Sequence, residues 1–168
     1  MLRTIIGVLV TGASGYLGIH CVKQLLEAGY LVRGTVRALN NPKKIEPLRS
    51  LPFASERLEL VVADLEKPDQ WHSALQDCTY ILHTASPFPI TPDETIIKTA
   101  VNGTLNVLNA ATKVLTIKKI VLTSSCVAIM GMLISTKNFL VILYKLQKAM
   151  MILKKFLMKV IGPLKLQQ

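Results

Sequence analysis

A chain of 168 residues that is 51% hydrophobic can bury one domain's core, which excludes a disordered segment, and no run approaches the ~18 apolar residues of a membrane span. The net charge of +10 is unevenly spread: residues 1–94 hold nine Lys/Arg against ten Asp/Glu, whereas residues 95–168 hold eleven lysines and no acid. Nucleic-acid binders interleave arginines and aromatics on a folded face, so an excess that is lysine only and lies mostly in one tail argues against that class of partner.

In chain order, Ile5 to Val10 is an apolar run that predicts a first strand. Arg3 followed by that run faintly mimics a signal peptide, but the run is short and leads straight into a glycine turn. Thr11-Gly12-Ala13-Ser14-Gly15-Tyr16-Leu17-Gly18 then opens a helical pattern over Tyr16–Ala28, with Gly29 placed as its C-terminal cap. A strand that turns through glycines into a helix suits a dinucleotide diphosphate. Gly12 permits the turn, Gly15 lets the backbone approach the phosphates, and Gly18 lets the helix pack on the strand, while the helix N-terminus offers N–H donors. The alternative is a plain glycine turn between two elements.

Thr-Gly-x-x-Gly-x-x-Gly, in the wording Val10-Thr-Gly-Ala-Ser-Gly-Tyr-Leu-Gly18, resembles the extended short-chain dehydrogenase/reductase family and its dihydroflavonol reductase-like branch. The resemblance runs over residues 4–129. It implies an α/β Rossmann fold: one domain, a doubly wound parallel sheet of strand order 3-2-1-4-5, with NADP(H) at the switch point. It also implies a small-molecule carbonyl or alcohol substrate, and it adds Ser14, Tyr16 and Leu17 to the cofactor cradle.

Leu31 to Val36 reads as the second strand, ending at Arg37. An acid here would bind a ribose 2′-hydroxyl, whereas a planar guanidinium suits a 2′-phosphate. Lys43 and Lys44 follow within one short loop, and the resemblance makes Arg37 and Lys44 the 2′-phosphate ligands; solvated charges after a strand are the alternative. Pro47 to Glu56 reads as a helix remnant and loop. Arg57–Ala63 is the third strand and delivers Asp64 and Leu65, which by resemblance sit at the adenine, although an Asp there also forms turns. Pro68 and Asp69 start a short helix through Leu75, with Trp71 in the core.

Thr79–His83 is the fourth strand, and the resemblance lays its exit, Thr84-Ala85-Ser86, along the cofactor. His83 at the strand end reads as a structural hydrogen-bonding residue. Thr91, Pro92, Asp93 and Glu94 start a helix to about Lys113, with an apolar face of Ile96, Ile97, Ala100, Val101, Leu105, Leu108 and Ala111. Asn102 resembles a residue beside the family's catalytic centre; a buried, self-satisfied amide is the alternative. Ile117–Ser125 is the fifth strand, and by resemblance Ser125 at its end, with Ser124 as alternative, is the catalytic serine whose hydroxyl donates to a substrate carbonyl.

Past Cys126 the composition changes to seven lysines, no arginine and no acid, which divides the chain into a dinucleotide-binding domain, 1–129, and a basic apolar tail, 130–168. Tyr144 and Lys148 fit the family's Tyr-x-x-x-Lys, whose lysine lowers the tyrosine pKa for acid/base work, and equally fit a coincidence in a lysine-rich tail. If residues 139–161 are helical, Lys145, Lys148, Lys155 and Lys159 share one face, as in a helix lying on an anionic membrane; translation in a wrong frame would also give such a tail. Cys21, Cys78 and Cys126 form neither a metal-ligand pair nor a disulfide pattern, so no metal and a reducing, cytoplasmic setting are expected. The functional expectation is an NADP(H)-dependent oxidoreductase. A catalytically incomplete cofactor-binding fragment and a nucleotide-sugar epimerase or dehydratase are the competitors, the last favouring an acid in place of Arg37.

Overall fold

Residues 7–87 and 95–124 are described by the computed structural model. Strand β1 (Gly7–Thr11) leads to helix α1 (Tyr16–Glu27), β2 (Leu31–Val36), α2 (Pro42–Arg49), α3 (Ala54–Arg57) and β3 (Leu58–Val62). Then come α4 (Asp69–Leu75), β4 (Tyr80–His83), α5 (Thr95–Ala111) and β5 (Lys119–Leu122). All these elements belong to one unit, Met1–Leu122.

The five strands are all parallel, in the order β3-β2-β1-β4-β5. This is the doubly wound order that the family resemblance implies, and it turns back between β1 and β4. Strand β1 is apolar over Val8–Val10 because both its faces are covered. Val10 packs with Val22, Leu26, Ile45 and Leu48 beneath α1 and α2, while Leu9 packs with Trp71, Leu75, Ile81 and Val107 beneath α4 and α5. Gly29, in the left-handed region at φ 88°, closes α1 as expected.

Three readings are corrected. Lys43 and Lys44 lie in the first turn of α2, not in a loop, because Pro42 starts a helix whose Ile45 and Leu48 are buried one turn apart. Pro47 sits inside that helix, so the remnant read from Pro47 onward begins five residues earlier. On α5, Val101 and Leu105 face outward instead of inward, while Ala111 enters the core as read and is joined there by Val107 and Ala110. Apolar residues surround α5 broadly enough that periodicity does not single out its inner face; the small Gly103 and Ala110 let that side approach its neighbours. Ile5 and Ile6, the helix start at Thr91–Glu94, Cys126 and the tail helix over 139–161 lie outside the described residues.

Candidate cofactor site

Because every strand is parallel, the C-terminal ends of β1, β2, β3 and β4 share one edge of the sheet. That edge gathers Gly12–Gly18, Arg37, Asp64–Leu65 and Thr84–Ser86, which are distant in sequence.

The turn after β1 is held from β2. Gly12 N–H donates to the Thr35 hydroxyl at 3.1 Å, and Ala13 N–H to the Thr35 carbonyl at 3.0 Å. Gly12 has φ 65°, and a side chain on it would meet the Ala85 Cα at 3.0 Å, so the turn and the β4 exit touch at a position only glycine fills. A Cβ on Gly18 would collide with the Gly12 carbonyl oxygen, which fixes how closely α1 approaches the turn. Helix α1 follows Gly15 at its N-cap, with no side-chain cap and no acid in its first turn. The first N–H groups of a helix have no intrahelical partner, so Tyr16, Leu17 and Gly18 present donors and the positive dipole end at an open edge. Gly15, Tyr16 and Leu17 are exposed there, with Ser14 partly so. A cradle of bare glycines and uncapped amides fits a diphosphate.

Arg37 directly follows β2 and is exposed, as is Lys44 on α2. Asp64 follows β3 by two residues, and its Oδ1 accepts from Glu66 N–H at 3.0 Å, so the turn-forming reading is observed for that oxygen. The Asp64 carbonyl accepts from the indole Nε1–H of Trp71, which is 1% exposed and in the core as expected.

At the β4 exit, Thr11 does most of the organising. Its buried hydroxyl accepts from the N–H groups of Thr84 (3.1 Å) and Ala85 (3.0 Å), and lies 2.8 Å from His83 Nδ1. A hydroxyl has two acceptor sites and one donor, so with both sites taken its proton must go to Nδ1. His83 is therefore neutral with its proton on Nε2, and burial pushes its pKa below the usual 6.5. Nε2 is a buried donor with no partner among the described residues. The Thr84 hydroxyl donates to the Thr11 carbonyl at 2.6 Å, so this side chain is spent on holding the exit. Ser86 beyond it is exposed.

Asn102 is exposed, which removes the reading of it as a buried, self-satisfied amide. The part-buried asparagine bond of α5 is made by Asn106, whose Nδ2–H donates to the Leu65 carbonyl at 2.7 Å. Sequence reasoning missed Asn106 and Thr35. The one signal for Asn106 was its spacing of three from Gly103. Ser124 is exposed two residues after β5; Ser125, Tyr144 and Lys148 lie outside the described residues. No cluster of metal-ligating side chains and no helix long and apolar enough to cross a membrane occurs among the described residues.

Residues 8–141 match the model of the NAD dependent epimerase/dehydratase family. The chain belongs to that family. Among its similar members, a cinnamoyl-CoA reductase of Medicago truncatula is 46% identical over 125 residues, covering 73% of this chain and 38% of the relative. A dihydroflavonol 4-reductase of Zea mays is 43% identical over 121 residues, covering 70% and 34%. The solved structure of the yeast methylglyoxal/isovaleraldehyde reductase Gre2, complexed with NADPH, superposes with a TM-score of 0.62 at 32% identity over 71% of this chain and 37% of that one. The chain thus spans little more than a third of the length of these relatives. Within the epimerase/dehydratase family these similar proteins are reductases, and the shared part is the five-stranded sheet with its glycine turn.

Proposed function

We propose that this chain is the cofactor-holding part of an NADPH-dependent reductase acting on the carbonyl group of a small organic molecule, of the dihydroflavonol reductase kind. The observation that carries this reading is the uncapped, acid-free start of α1 with Arg37 one strand away on the same edge. The helix amides and bare glycines take the diphosphate, and Arg37 with Lys44 takes the 2′-phosphate, where a carboxylate would repel it. Asp64 and Leu65 hold the adenine, and Thr84, Ala85 and Ser86 line the path towards the nicotinamide. NADPH, when bound, supplies the hydride. Ser125 donates its hydroxyl hydrogen bond to the substrate carbonyl oxygen, and Tyr144 paired with Lys148 delivers the proton. A cytoplasmic location, suggested by the free thiols of Cys21 and Cys78, belongs to the same reading.

Titration with NADPH and NADH tests the cofactor part. NADPH should bind more tightly, and Arg37→Ala should erase about 10- to 100-fold of that preference while leaving NADH affinity unchanged. Equal or tighter binding of NADH by the unaltered chain would overturn it and favour the epimerase-type alternative. A second reading, a chain that holds NADPH without turnover, is favoured by the acid-free, lysine-rich composition after Cys126. Loss of carbonyl reduction in Ser125→Ala and Tyr144→Phe, with NADPH binding retained, supports the enzyme. Absence of any turnover in the unaltered chain supports the holder.

A further inference from the structure

We infer that Gly103 and Asn106 of α5 are positioning residues that aim the Asp64 carboxylate at the adenine of the cofactor; this rests on the NADPH reading above. The loop after β3 has almost no freedom left. Asp64 N–H donates to Gln70 Oε1 at 3.0 Å, and the Asp64 carbonyl accepts from Trp71 Nε1–H at 2.9 Å, both from α4. Those two bonds fix one side of the loop. The other side is fixed by α5 at the very next residue: Leu65 gives its carbonyl to Asn106 Nδ2–H at 2.7 Å and rests its side chain on Gly103.

The two α5 contacts act as a pair. Gly103 and Asn106 are three apart, so they lie on one helix face, and Gly103 is buried. A Cβ at position 103 would stand 2.7 Å from the Leu65 Cβ, and 3.2 Å from its Cγ. The Leu65 Cβ is bonded to the main chain and cannot swing aside, so any side chain at 103 moves the loop itself. Asn106 then sets the height of the loop along the helix through one carbonyl.

The consequence falls on Asp64. Its Oδ1 is committed to Glu66 N–H at 3.0 Å, across the loop that Leu65 anchors. With that oxygen fixed, the direction of the second oxygen follows from the loop's position. A carboxylate oxygen aimed in advance accepts from the adenine 6-amino group without the entropic cost of being ordered on binding. Leu65 supplies the adjoining apolar surface. The selectivity for adenine is thus set partly from α5, by residues that never touch the nucleotide.

The test compares NADPH with its hypoxanthine analogue, which carries a carbonyl in place of the 6-amino donor, on the full chain. The unaltered chain should prefer NADPH by about 10-fold or more, since the analogue sets an oxygen against a carboxylate. Gly103→Ala and Asn106→Asp should each shrink that preference to about twofold, as Asp64→Ala does, with the NADPH-over-NADH preference at the β2 end unchanged. Asn106→Asp keeps the shape while setting an oxygen against the Leu65 carbonyl, so it serves if Gly103→Ala does not fold. Equal loss of both nucleotides, or an adenine preference that survives both variants, would overturn the positioning role and leave the NADPH reading standing. Failure of the unaltered chain to bind NADPH would sink both.

Discussion

Two turns at the same edge of the sheet treat their backbone groups in opposite ways. After β1, the turn over Gly12–Gly18 spends the amides of Gly12, Ala13 and Gly15 on the protein but ends in a helix start with no capping side chain, where the amides of the exposed Tyr16 and Leu17 stay open. After β3, the turn over Asp64–Glu66 spends its groups on the protein: Gln70, Trp71 and Asn106 each take one. The first turn leaves donors open where an anion must be gripped. The second closes them where a side chain must be aimed. Affinity for a diphosphate comes from unsatisfied dipoles, while discrimination among bases needs a fixed acceptor, and one loop cannot supply both.

The largest expected effect attacks the open turn. Gly18→Ala forces a methyl against the Gly12 carbonyl and should weaken NADPH and NADH alike by roughly 100-fold, with a stability loss of about 1–3 kcal/mol. Fluorescence titration and urea unfolding read the two. Unchanged binding of both would show that close approach of α1 is not what shapes the cradle.

Thr11→Val examines the wall shared by the β1 turn and the β4 exit. The variant keeps the shape but leaves the amides of Thr84 and Ala85 and the His83 Nδ1 without their partner. A destabilisation on the order of 3 kcal/mol is expected from urea midpoints, with Thr11→Ser recovering most of it. A cost below about 0.5 kcal/mol would mean that the hydroxyl network adds nothing beyond what surface substitutions change.

A smaller effect distinguishes the buried histidine by pH. Burial lowers the His83 pKa, so the unfolded chain takes up a proton at a higher pH than the folded one. Its contribution to stability is therefore complete above about 6.5 and is lost as pH falls through that value and below the folded pKa. Urea midpoints from pH 8 to 5 should fall less steeply in His83→Gln than in the unaltered chain. Parallel curves would place the acid sensitivity elsewhere.

The smallest signal is chemical. Burial, offset in part by the nearby Arg33, pushes the Cys78 thiol above its ordinary pKa, and the residue is 2% exposed. Cys78 should resist alkylation at pH 7.5 until urea unfolds the chain, while the partly exposed Cys21 reacts first. Mass mapping of the modified peptides reads the order.

Much of the open turn is legible in the amino-acid sequence. Gly12, Gly15 and Gly18 announce themselves because bare backbone is itself the functional group there, and glycine is the residue that supplies it. Arg37 stands out because it directly follows a strand whose limits, Leu31–Val36, agree between sequence pattern and fold. The closed turn is mostly hidden. Asp64 reads as either a ligand or a turn former, and its Oδ1 makes the turn. Gln70, Thr35 and Asn106 look like ordinary polar residues because their partners are backbone groups 6, 23 and 41 residues away.

Periodicity, caps and bare backbone, which are local properties of the chain, marked the five strands, α1 and the glycine cradle in the sequence, while the parallel order came from the family resemblance and α2 was not legible. Tertiary structure decided which face of α5 turns inward, that the Thr11 hydroxyl joins His83 to the amides of the β4 exit, and that Gly103 and Asn106 grip the loop after β3. Those facts depend on which atoms meet across the core, and hydrogen-bond valence and van der Waals contact act only once the elements are packed.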